Sequence, residues 1–148
     1  MTIKNTKMKK RIIALTTAII MITSVSFAKD IRPVPESVVT SFEHEFEEAN
    51  NINWIATNDF YKAFFTVKEF LMEAFYSLDG ELIAVSKKIT IDQLPITLIK
   101  KAKEKIGSYH VSSIFELSTD RGIEYFISVE NGNDKKVFKN SGYTWIRY

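Results

Sequence analysis

Two histidines, His44 and His110, are the only imidazoles in a chain of 148 residues that contains no cysteine. A zinc site takes three or four converging ligands, usually with His or Cys among them. His44 stands between Glu43 and Glu45, in the polar sector of an expected helix, and His110 opens an expected strand. Both read as solvated side chains, so no metal site and no cofactor is expected. No stretch resembles a nucleophile elbow or the local neighbourhood of a Ser-His-Asp triad. No catalytic residue is assigned, and the chain is not read as an enzyme. The other chemically active groups are runs of charge. Glu43, Glu45, Glu47 and Glu48 oppose Lys100, Lys101, Lys103 and Lys105 in a second helix. Solvated faces explain these runs, since an exposed ion pair contributes at most ~1 kcal/mol. The alternative is a charge-complementary docking surface, between the helices or toward a partner.

The elements that must position any site begin with Glu73–Val85, two apolar runs around Asp79-Gly80. This is a strong signal for a β-hairpin with a two-residue turn, in which Gly80 takes a positive φ. Val137–Tyr148 repeats the pattern around Ser141-Gly142. Before the first hairpin, Val34, Val38, Phe42 and Phe46 recur with helical spacing behind Pro35. Short alternating runs then follow: Ile52 to Ala56, and Tyr61, Ala63, Phe65 and Val67, with turns at Thr57–Asp59 and Lys68-Glu69. The pattern restarts at Leu94-Pro95, with Leu98, Ala102 and Ile106 as a second helical stripe before Gly107. Pro35 and Pro95, Phe46 and Ile106, and Trp54 and Ile114 share one offset. Tyr76 and Phe138, Gly80 and Gly142, and Ile83 and Trp145 share an offset two residues longer. A duplicated unit explains both sets. The expected fold is α+β: two tandem α-β4 repeats, about 34–89 and 94–148, form one continuous antiparallel sheet with both helices on one face.

The first 28 residues read as a secretory signal peptide. Lys4, Lys7, Lys9, Lys10 and Arg11 precede an apolar stretch from Ile12 to Val25, and Ser26-Phe27-Ala28 supplies small residues at the cleavage positions. Cleavage after Ala28 leaves residues 29–148 as a single domain, periplasmic or secreted, with no stable membrane anchor. The leader holds five of the twenty Lys and Arg and none of the eighteen Asp and Glu, so the remainder carries a net charge of −3. That balance speaks against a nucleic-acid partner. Without cysteine, an exported fold must rest on its hydrophobic core.

Alternation divides the strands into two faces. Tyr61, Ala63, Phe65, Tyr76, Ile83, Tyr125, Ile127, Phe138 and Trp145 are assigned to the core under the helices, and Trp54 is placed in the core as well. The opposite face then carries Phe64, Phe75, Leu82, Phe126, Val137 and Ile146 among Lys62, Thr66, Glu73, Ser77, Glu124, Ser128 and Lys139. Six large apolar residues exceed what a solvated sheet face requires, and a contiguous exposed patch marks an interaction site. These six are the candidate partner-binding residues. Coverage by the leader, a long loop or a dimer mate is the competing explanation.

The chain resembles the PepSY-like proteins, also described as β-lactamase-inhibitor-protein-like. The resemblance rests on Phe42 and Phe46, Asn53-Trp54, the Tyr61-x-Ala63-x-Phe65 alternation, Ala74-x-Tyr76-x-x-Asp79-Gly80, and Leu94-Pro95 opening the second helix. The second copy departs from the pattern, with Ser141-Gly142 for Asp-Gly and Ile114 where the first has Trp54. The resemblance implies a small exported protein that binds or inhibits something, with no catalytic residues to carry over. The expected function is a non-enzymatic binding module that recognises a protein or peptide in the cell envelope, or a second copy of itself, through an open aromatic sheet face. The alternative is a small periplasmic ligand carrier or enzyme with a pocket between helix and sheet. A third is a structural protein whose apolar face merely dimerises.

Overall fold

The structure, a computed structural model, describes residues 33–148; the expected leader, residues 1–28, lies outside the described residues. Helix α1 spans Glu36–Glu45 and follows Pro35, whose fixed φ suits a helix entry. It buries Val38 and Phe42, one turn apart. Four strands follow: β1 (Asn50–Ala56), β2 (Phe60–Val67), β3 (Phe70–Ser77) and β4 (Leu82–Ile89). A single 3-10 turn, Ile91–Gln93, leads to helix α2 (Ile96–Ile106), which buries Leu98, Ala102 and Ile106. The second meander is β5 (His110–Thr119), β6 (Gly122–Asn131), β7 (Asp134–Ser141) and β8 (Thr144–Arg147). All eight strands form one antiparallel sheet in sequence order. The expected α+β architecture is what the chain adopts.

Register shows that both helices cover the same face. Ala63 pairs with Ala74, and Ala74 with Val85, along one row. Ile89, on the same side of β4 as Val85, starts a second row through Ile114, Ile127 and Phe138. The first row packs under α1, where Val38 and Phe42 meet Ala63, Phe65, Ala74 and Tyr76. The second packs under α2, where Leu98, Ala102 and Ile106 meet Ile114, Ile127, Phe138 and Trp145. The Trp145 indole is buried and donates to the Leu98 carbonyl at 3.2 Å, so its N–H is satisfied inside the core. Trp54 is only half-buried, lying edge-on to Phe42 at 5.3 Å between ring centres. It flanks the core instead of filling it.

The two halves share a bulge in their first strand pair and differ in their final hairpins. A β-bulge interrupts β1–β2 between Asn50 and Asn53, and another interrupts β5–β6 between Val111 and Ser113. Asn53 and Ser113 are related by the same offset as Pro35 and Pro95. The hairpins are not equivalent. Gly142-Tyr143 forms a two-residue connection between paired Ser141 and Thr144, with Gly142 at φ 59°. The first hairpin instead has four connecting residues, Leu78 to Glu81. Gly80 N–H donates to the Ser77 carbonyl at 3.0 Å, and Ser77 N–H donates to the Glu81 carbonyl at 2.8 Å. Gly80 takes the expected positive φ, 85°, but the expected two-residue Asp79-Gly80 turn is not formed.

A bulge between Phe75 and Tyr76 accompanies this longer loop. It opposes Tyr76 to Leu82, not to Ile83, while Ala74 pairs with Val85. An extra residue in one strand moves its neighbours to the other face. Leu82 therefore packs with the α1 cluster, and Ile83 packs on the opposite side, the reverse of their expected places. Ile83 and Trp145 consequently lie on different faces, and their shared offset does not make them structural equivalents.

Candidate functional site

The face away from the helices is assembled from one cross-strand row and its neighbours. Asn53, Phe64, Glu73, Ser86, Leu117 and Glu124 pair successively from β1 to β6. Beside this row, Lys62 pairs with Phe75 and Phe75 with Ala84. On the other side, Lys88 pairs with Phe115, Phe115 with Phe126, and Phe126 with Lys139.

The six expected binding residues do not form one exposed patch. Phe75 and Phe126 are 0% and 1% exposed, which corrects the expectation that they stand open to solvent. They belong to a buried cluster with Phe60, Ala84 and Leu117, against which Val137 and Ile83 pack. Neither helix lies on this side of the sheet. Among the described residues, the side chains of this face pack on one another. Tyr148 contributes at the far end, edge-on to Phe126 with ring centres 5.6 Å apart. Leu82 is on the helix face, through the bulge described above. Phe64 and Val137 remain half-buried, and Ile146 is exposed. Of the six, Phe64 alone lines the groove described next.

That groove, of about 340 Å³, opens on the outer face over β1 to β5. Phe64 and Phe115 stand at its two sides, Leu71 is exposed at its mouth, and Glu73 and Ser86 form its floor. Glu73 is 9% exposed and Ser86 1%. Behind them lies Lys62, 4% exposed, with its ammonium 3.8 Å from Glu73 Oε1 and 4.2 Å from the centre of the Phe64 ring. The Glu73 Oε2 and Ser86 Oγ atoms are buried with no hydrogen-bond partner among the described residues. Buried polar atoms are nearly always paired, so two unpaired oxygens on paired residues of adjacent strands are exceptional.

Burial governs the ionisation of the pair. Desolvation raises the Glu73 pKa above its ordinary value, and the nearby Lys62 only partly offsets this. Desolvation likewise lowers the Lys62 pKa, against the opposing pull of Glu73. Both groups are thus held partly against charging.

Lys62 and Glu73 were legible as outward-facing positions, but nothing in the alternation distinguishes a buried outward residue from a solvated one, and Ser86 lies just beyond the expected Glu73–Val85 hairpin. Phe115 follows Ile114 directly, and its placement on the outer face needed the pairing of β4 with β5. Elsewhere, His44 and His110 are both exposed, and no group of three or more His, Asp or Glu suited to a metal occurs among the described residues. The glutamates and lysines of the two charged runs are also exposed. A small polar knot joins Tyr109 to Asp134 at 2.5 Å and Asp134 to Lys136 at 3.0 Å on the surface of the second half. These bonds explain why the Asp134 pKa is lowered, first through Tyr109 and then through Lys136.

No protein-family model and no curated protein matches the chain. Solved structures do. The fold is similar to that of a BLIP-like protein from Bacteroides fragilis, with a TM-score of 0.71 at 15% identity, covering 80% of this chain and 88% of that one. A DUF2874 family protein from Bacteroides ovatus matches with a TM-score of 0.68 at 16% identity, over 74% of this chain and 82% of that one. A candidate periplasmic protein from Bacteroides eggerthii matches with a TM-score of 0.72 at 17% identity, over 78% and 88%. At these identities the likeness is one of fold. It supports the BLIP-like part of the expected resemblance and not the PepSY-like part. No helix among the described residues is long and apolar enough to cross a membrane.

Proposed function

We propose that this chain is an exported, non-enzymatic binding module that receives a segment of a protein or peptide on the outer face of its sheet. The observation that carries this reading is the groove floored by Glu73 and Ser86, where two buried oxygens lack partners between aromatic walls. A bound segment would supply those partners. The groove lies at the small end of the range for ligand sites, about 300–1,000 Å³, which suits one inserted side chain with flanking contacts. Phe64, Leu71 and Phe115 then form the contact surface, and Phe75 and Phe126 support it from below. The fold likeness to a BLIP-like protein and to a candidate periplasmic protein is consistent with this reading. The signal-peptide pattern of residues 1–28 adds the export. The groove opens away from the helices, so it does not supply the helix–sheet pocket required by a carrier or enzyme.

Site-specific photo-crosslinking in the cell envelope tests the proposal. A photoreactive residue replacing Leu71, at the groove mouth, should capture a discrete partner. The same residue replacing Ile96, 82% exposed on α2, should not. Capture from Ile96 alone, or from neither position, would overturn the outer face as the binding surface.

A further inference from the structure

The chemistry of the groove narrows what it can receive. We propose that it takes a tyrosine side chain presented by the bound peptide, with the phenol hydroxyl bonded to both Glu73 Oε2 and Ser86 Oγ. This rests on the binding reading above and specifies its ligand.

The walls select an aromatic body. Phe64 and Phe115 come from strands on either side of the floor strands β3 and β4, with Leu71 at the mouth. Aromatic rings favour offset or edge-on partners in such a setting. The floor selects the tip. Its two unpaired atoms are oxygens on residues paired directly across the floor strands. A hydroxyl suits this demand because it donates one hydrogen bond and accepts others. It can donate to the Glu73 carboxylate while accepting from the Ser86 hydroxyl. If Glu73 carries a proton, the same ligand oxygen can accept from it.

Charged tips fit less well. An ammonium or guanidinium would meet the Lys62 ammonium behind Glu73 and Lys88 in the groove lining. A carboxylate or phosphate would meet the Glu73 carboxylate itself. A sugar would bring several hydroxyls, whereas the amides at the groove edge are already engaged. Asn51 Nδ2 donates to Thr66 Oγ1 at 3.1 Å, and Asn53 Nδ2 donates to the Asn51 carbonyl at 3.1 Å. The Thr66 hydroxyl donates to the Asn50 carbonyl at 3.2 Å. Two unmet polar contacts beneath an apolar slot correspond to one hydroxyl on one ring.

The test compares two probes that differ by that hydroxyl. Protein recovered from the envelope, labelled at its methyl groups, is titrated with N-acetyl-tyrosinamide and with N-acetyl-phenylalaninamide and followed by NMR. The methyl signals of Leu71, Met72 and Thr66 should shift and saturate with the tyrosine probe, which should bind at least about tenfold more tightly. Ser86→Ala should melt no lower than the parent, because it removes an unpaired buried oxygen, yet it should bring the two probes toward equal affinity. Equal binding of both probes by the parent would overturn the assignment and leave only an apolar slot. Absence of saturable binding, or a preference unaffected by Ser86→Ala, would overturn it too. So would tighter binding of N-acetyl-lysinamide. Partner capture at Leu71 with no tyrosine preference would sink this assignment alone, whereas loss of capture would sink the binding face itself.

Discussion

On the helix side of the sheet, Phe65, Ala74 and Ile127 lie under α1 and α2; on the other side, Phe75 and Phe126 are as deeply buried away from both of these helices. The helix side is apolar almost throughout, and the Trp145 indole finds a carbonyl there. The outer side mixes its phenylalanines with a buried ion pair and two unpaired oxygens. Burial by a second layer accommodates a conventional core. The face away from α1 and α2 keeps polar groups that a closed core would tolerate poorly. That side of the sheet is therefore where a ligand can still improve the packing.

The largest effects should show that both faces are core. Phe75→Ala on the outer face and Trp145→Ala on the helix face should each cost about 3–5 kcal/mol in chemical denaturation, as large aromatic truncations in cores do. Phe64→Ala, at the half-exposed groove wall, should cost under about 1.5 kcal/mol by the same reasoning scaled to burial. A Phe75→Ala loss as small as that of Phe64→Ala would show an outer face open to solvent, and the equivalence of the two faces as core would fail. Trp54→Ala should fall between these cases, since Trp54 is half-buried beside Phe42.

A second measurement separates the faces by pH. The fold raises the Glu73 pKa, so the folded chain holds this proton more tightly than the unfolded chain does. Between the ordinary value of 4.5 and the raised one, folding takes up a proton, and stability must rise as the pH falls. Below that ordinary value the contribution is complete and flat; above the raised pKa it is lost. Subtracting the stability profile of Glu73→Gln from that of the parent isolates this contribution from the exposed carboxylates. A difference that grows with pH in the opposite sense, favouring the parent as Glu73 ionises, would mean that Lys62 outweighs desolvation.

Much of this architecture was legible because period-two alternation and turn residues act locally. The turns at Thr57–Asp59 and Lys68-Glu69, the stripe Val38–Phe42, and the α2 residues Leu98, Ala102 and Ile106 all follow from short-range rules. The faces of Ala63, Phe65, Ile127 and Phe138 followed with equal directness. Leu82 and Ile83 were misplaced because a bulge adds one residue, and one residue reverses every face beyond it. The burial of Phe75 and Phe126 was hidden for a different reason. What covers a face is set by tertiary packing, and a phenylalanine that is covered looks the same in sequence as one that is not. The groove shares this blindness. Glu73 and Ser86 become a pair only through the β3–β4 register, and their burial is set by packing that no local pattern encodes.

The smallest expected effect lies on the helix side, at the one buried oxygen there that matches the two in the groove. The Tyr76 hydroxyl is buried beneath α1 without a hydrogen-bond partner among the described residues. Desolvation pushes its pKa well up, with nearby Glu45 adding to the shift. Unlike Glu73 and Ser86, this oxygen faces a packed helix, so no ligand can reach it from the groove. The ring fills the space beside Trp54, with centres 6.0 Å apart, and Phe would keep that packing. Removing an unpaired buried hydroxyl releases its desolvation cost. Tyr76→Phe should therefore change stability by no more than about 0.5 kcal/mol, or raise it by up to about 1 kcal/mol. It should leave capture from Leu71 unchanged. A loss above about 1.5 kcal/mol in denaturation would reveal a hydrogen bond at Tyr76. The unpaired oxygens of the groove would then lose their contrast with a conventional core.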